Sequence, residues 1–135
     1  MSKRIVATLA VVAILAVMFV SIALAAPAAP NVAGLHLKLD KSEPAAEQVL
    51  EASPEKIVLH FSQRPELAIS RVTITGAEGE AKVGKVQRNE ENETILWAAV
   101  EEPLAHGAYT VAWVTSSADL HPVRGEFTFT VRAGR

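Results

Sequence analysis

From Leu35 onward, apolar residues in this chain recur at every second position in short segments that end at turn residues. That period is the period of a strand, because successive side chains of an extended backbone point to opposite faces. Ile57, Leu59 and Phe61 share one face, with Val58 and His60 on the other, and Ser70, Val72 and Ile74 share a second. Residues 76–79 turn the chain, and a further strand is predicted over residues 94–100, after an acidic polar loop at 89–93. Two more strands carry Tyr109, Val111, Trp113 and Thr115, then Phe127, Phe129 and Val131 between Glu126, Thr128 and Thr130. Their rings are expected to anchor the core. No long segment after residue 35 has helical apolar spacing, and Pro44, Pro54, Pro65, Pro103 and Pro122 stand where strands should end or edges lie. About seven strands in roughly 100 residues predict an all-β, immunoglobulin-like Greek-key sandwich or barrel.

The first residues obey a different rule. Lys3 and Arg4 precede an uncharged apolar run at 5–26, and Ala23-Leu24-Ala25 fits a small-x-small cleavage pattern. Residues 1–25 therefore read as an export signal peptide, and the mature chain is expected to start at Ala26. The run is 22 residues long, enough at about 1.5 Å per residue to cross a bilayer core of roughly 30 Å, so an uncleaved N-terminal membrane anchor is the alternative. Either way the basic residues stay inside and the domain lies outside the cytoplasm. Residues 26–35, small and proline-bearing, are predicted to form a flexible tether, and 36–132 the folded domain.

Composition narrows the function. With no cysteine, an exported domain of this size has no disulfide staple, no thiolate metal site and no cysteine nucleophile. Without Lys3 and Arg4, the 13 basic residues fall to 11 against 15 acidic ones, a net charge of −4. That balance argues against a nucleic-acid partner.

The chemistry-bearing segment is Ser117-Ala118-Asp119-Leu120-His121-Pro122. On an extended backbone Asp119 and His121 would project to the same side, and Pro122 disfavours a helical conformation at His121. Imidazole nitrogen with carboxylate oxygen suits the tetragonal preference of Cu(II), and zinc could use the same donors. Two ligands are too few for tight binding. The alternative for the pair is a solvated turn in which the aspartate caps the backbone. His36 is another candidate donor, whereas His60, on a polar strand face, and His106, in a turn, are read as surface residues.

Four ordered motifs resemble the CopC family of periplasmic copper-binding, copper-resistance proteins across nearly all of 36–132. They are His36, Leu39, Ser42 and Pro44; Val58-Leu59-His60-Phe61-Ser62; Leu104, Gly107, Tyr109, Val111 and Trp113; and Ser116 to Val123, followed by Gly125 and Phe127. The last resembles the family's Ser-x-Asp-Gly-His-Pro signature. The resemblance implies an immunoglobulin-like β-barrel holding one Cu(II) ion with His36, Asp119 and His121, and a non-enzymatic role in copper resistance or homeostasis. The protein would buffer the ion or deliver it to a membrane copper transporter of the CopD type. The family's first histidine usually begins the mature chain and chelates through its free amine. Here a start at Ala26 would leave ten residues ahead of His36. The only methionines are Met1 and Met18, so the methionine-rich Cu(I) site of some relatives is absent. The alternatives are a metal-free immunoglobulin-like interaction module and a copper oxidase, the latter also needing a free amine on the histidine.

Overall fold

The period-two segments pair into two sheets. The computed structural model describes residues 36–133; the predicted signal peptide and the whole of the predicted tether lie outside the described residues. The strands are β1 (Leu39–Glu43), β2 (Val49–Leu50), β3 (Lys56–Phe61), β4 (Arg71–Gly76), β5 (Gly79–Ala81), β6 (Gln87–Arg88), β7 (Ile95–Ala99), β8 (Gly107–Ser116) and β9 (Pro122–Val131). One sheet runs β1-β3-β7-β6 and the other β2-β9-β8-β4-β5. The chain crosses between them repeatedly, as a Greek-key sandwich requires. The described residues hold nine strands where about seven were expected. The difference lies among the short strands β2, β5 and β6, which have two or three residues each. Such pieces are too short to show an alternation.

The core is the meeting of the two inner faces. Ile57, Leu59 and Phe61 of β3 and Leu96 and Ala98 of β7 face Ile74 of β4, Val111 and Trp113 of β8, and Phe127, Phe129 and Val131 of β9. Val58 is also buried, although it lies on the other face of β3, where its cross-strand partner is Trp97. The sheets are tied by the rings of Phe61 and Trp113, 5.3 Å apart and edge to face at 74°. At the start of β8, the Tyr109 hydroxyl donates to the Ala105 carbonyl at 2.7 Å and its ring stacks on Phe129 at 5.6 Å. This is the tyrosine corner of immunoglobulin-like sandwiches, which pins the loop that feeds a central strand.

The longest ladder joins β8 to β9, from Gly107↔Val131 to Ser116↔Pro122. It holds the next connection, residues 117–121, at one end of the sandwich. A second connection packs at the same end: Glu66 N–H donates to the Ser116 carbonyl at 2.8 Å, and the hydroxyls of Ser70 and Thr115 meet at 2.7 Å. Residues just before β1 reach that end too, because Leu39 pairs with Phe61 and Lys38 exchanges hydrogen bonds with Ser62.

Trp113 depends on the residue opposite it. Gly125 is its cross-strand partner, and a Cβ there would lie 2.7 Å from Trp113 Cζ2. The indole is buried and cannot retreat. Gly125→Ala is therefore expected to destabilise the fold by about 1–3 kcal/mol through overpacking, read as a lower urea midpoint at unchanged slope.

Candidate metal centre

The last pair of the β8–β9 ladder leaves five residues to reverse the chain, and they form a turn. Leu120 N–H donates to the Ser117 carbonyl at 3.0 Å, with Leu120 at φ 61. The extended arrangement expected of Asp119 and His121 is thus replaced by a bend. A strand cannot continue through a left-handed residue, and β9 begins only at Pro122. The two side chains still meet, by another route. Asp119 Oδ1 accepts from Ser117 Oγ at 2.6 Å and from the His121 N–H at 3.1 Å, and its Oδ2 lies 3.2 Å from His121 Nδ1.

These contacts do two things at once. The carboxylate caps the turn, the structural role weighed as the alternative for this motif. It also orients the imidazole: with Nδ1 turned to the carboxylate, Nε2 carries the lone pair that can bind a metal. Hydrogen bonding holds Asp119 at a pKa of about 2, the Ser117 hydroxyl contributing most, then the His121 N–H, with the imidazole adding to both. Both side chains are open to solvent, His121 at 86% and Asp119 at 55% exposure. Ser117, placed in this segment by sequence, was given no role there. Its signal was the serine two positions before the aspartate, a spacing at which a hydroxyl reaches a turn carboxylate.

His36 is exposed, on a bend ahead of Leu37, which is buried in the core. It belongs to the same end of the sandwich as residues 117–121, through the Lys38–Ser62 and Glu66–Ser116 hydrogen bonds. Among the described residues, however, no three His, Cys, Asp or Glu side chains are gathered closely enough to hold a metal ion. The structure brings Asp119 and His121 together and does not close His36 onto them. Of the other histidines, His106 is exposed at the far end of β8. His60 is not a free surface residue: its ring is only 20% exposed and Nε2 lies 3.5 Å from Glu43 Oε1.

Leu120 occupies the place of the glycine in the Asp-Gly-His signature. A left-handed leucine costs roughly 1–2 kcal/mol, and here it is 66% exposed, with little burial to offset that cost.

Residues 39–132 match the CopC domain family. The chain is similar to protein YobA of Escherichia coli strain K12, 36% identical over 98 residues that cover 72% of this chain and 79% of that one. It is also similar to copper resistance protein C of Escherichia coli, 34% identical over 105 residues, covering 72% and 82%. Among solved structures it resembles PcoC, a methionine-rich copper resistance protein from Escherichia coli, with a TM-score of 0.65 and 33% identity over 72% of this chain and 99% of that one.

Two outcomes test this geometry. In Ser117→Ala the Asp119 carboxyl is expected to titrate closer to the ordinary carboxylate range, followed by carboxyl-carbon NMR. Because its folded pKa is depressed, the stabilisation it gives is complete above the ordinary value near 3.9 and is lost as pH falls through about 2. Separately, Leu120→Gly is expected to leave stability unchanged or raise it by up to about 1 kcal/mol, the relieved strain being partly offset by the freer unfolded chain. Leu120→Val, branched at Cβ, should lower it, both read by thermal denaturation.

Proposed function

Because this chain belongs to the CopC family, a family of copper resistance proteins, we propose that it is an exported protein that binds one Cu(II) ion through His36, Asp119 and His121. The observation that carries this reading is the oriented imidazole, with His121 Nδ1 held 3.2 Å from Asp119 Oδ2 in an exposed turn. An imidazole fixed by a carboxylate is a stronger and better-aimed donor than a free one. Nitrogen and oxygen donors without thiolate or thioether favour Cu(II) over Cu(I). Nothing in this chemistry calls for catalysis. The role is to buffer the ion outside the cytoplasm or hand it to a membrane copper transporter.

The ion itself completes the site. With an ion bound, His121 would supply an imidazole nitrogen, Asp119 a carboxylate oxygen, and His36, joined to the first strand by Leu37 and Lys38, a further nitrogen. If processing exposes the amine of His36, that residue supplies two preorganised donors and the entropic cost of assembly falls. If the chain starts at Ala26, the ring alone takes part and binding is weaker. Binding is expected to weaken in acid, because an imidazole must be neutral to ligate a metal.

The expected outcome of titrating the purified protein with Cu(II) is a one-to-one complex with a nitrogen-rich electron paramagnetic resonance signal. Loss of an outer partner costs a metal site about 10–100-fold, so His121→Ala, which removes a ligand, should cost at least about a hundredfold. Copper at a hundred times its Kd should stabilise the fold by about 2.7 kcal/mol. A second reading, a metal-free interaction module, draws on the absence of a three-ligand group among the described residues. It requires the melting temperature to be indifferent to Cu(II).

A further inference from the structure

On the outer face of the five-stranded sheet, register places Arg71 of β4 opposite Val114 of β8, and Val114 opposite Arg124 of β9. Residues opposite one another share a face, so the two guanidinium groups flank Val114 in one cross-strand row. Neither arginine has an ion-pair partner among the described residues. The next row is Thr73, Ala112 and Glu126. Small side chains on the central strand between longer ones on its neighbours make an open groove of about 540 Å³ along β8. Its floor is Val114 and Ala112, its walls the arginines, Thr73 and Glu126.

We propose that this groove docks an acidic protein segment, its carboxylates on Arg71 and Arg124 and its apolar side chains on Val114 and Ala112. Charge selects the occupant. Two guanidinium groups without internal partners offer bidentate sites to carboxylates. β8 is hydrogen-bonded on both sides, so the segment adds no strand to the sheet and is recognised by side chains alone. The groove is also polar along its length. Glu126 repels acid from the second row, so the acidic end lies over the arginine row, three residues from His121, or about 10 Å of extended chain. A partner seated this way has its charged end beside the β8–β9 turn. The proposal stands apart from the copper reading and is tested without metal.

The test uses the full chain isolated metal-free from cells that express it, isotopically labelled for amide NMR. The probe is the synthetic peptide acetyl-Glu-Glu-Val-Val-amide, with acetyl-Lys-Lys-Val-Val-amide and sodium acetate as controls. The expected result is saturable shifts at Arg71, Ala112, Val114 and Arg124 with the acidic peptide alone. Affinity should fall at least tenfold in the Arg71→Glu/Arg124→Glu double variant and rise severalfold in Glu126→Gln. Should the charge-reversed variant misfold, Arg71→Gln/Arg124→Gln is read in its place and must also lose affinity. The proposal is overturned by an absence of shifts, by equal binding to the double variant, or by shifts that acetate reproduces at matched carboxylate concentration, which would mark a simple anion site.

Discussion

The contact on which the rest of the molecule depends is the indole of Trp113, laid across Gly125 and met edge-on by Phe61. Three strands of two sheets converge there, β8, β9 and β3, and the chain has no disulfide to hold them otherwise. An aromatic pair of this geometry contributes about 0.5–1.5 kcal/mol beyond the burial of its area. Its position matters more than that figure. Phe61 is the last residue of β3, and Ser62 after it bonds to the segment leading from His36. Gly125 lies four residues beyond His121. The same edge-to-face pair therefore ties the two sheets beside both chain segments that bear the candidate ligands.

Much of this was legible in the sequence because burial enforces period two. Ile57, Leu59 and Phe61 could belong only to an inner face, and Tyr109, Val111 and Trp113 only to another; both are found so. Short edge pieces were not legible, since two residues carry no period. Val58 shows a subtler limit. It is buried although it lies on the outer face, with Trp97 its partner on β7, a neighbour that alternation within one segment does not reveal. His60 is the polar counterpart, drawn toward Glu43 across the β1–β3 pair.

At the site, the pairing of Asp119 with His121 was readable and its geometry was not. Residue spacing on a strand predicts two side chains on one side, and the turn achieves proximity through Ser117, a left-handed Leu120 and a backbone cap instead. The capping role and the ligand role had looked like rivals. In the folded chain one carboxylate serves as a cap through Oδ1 and as an orienting group through Oδ2. Whether His36 joins them was beyond the sequence, since closure of that segment depends on long-range packing and on where the chain begins.

The distribution of strand lengths has a further consequence. The ten-residue strands β8 and β9 lie inside their sheet, while its edges are β2, of two residues, and β5, of three. The other sheet ends in the two-residue β6 and in β1, whose register is broken by a bulge. Exposed edges are where sheets of separate molecules zip together, and short or irregular ones offer few free backbone groups in register. Among the described residues, the sheets thus present little backbone that a second molecule could extend.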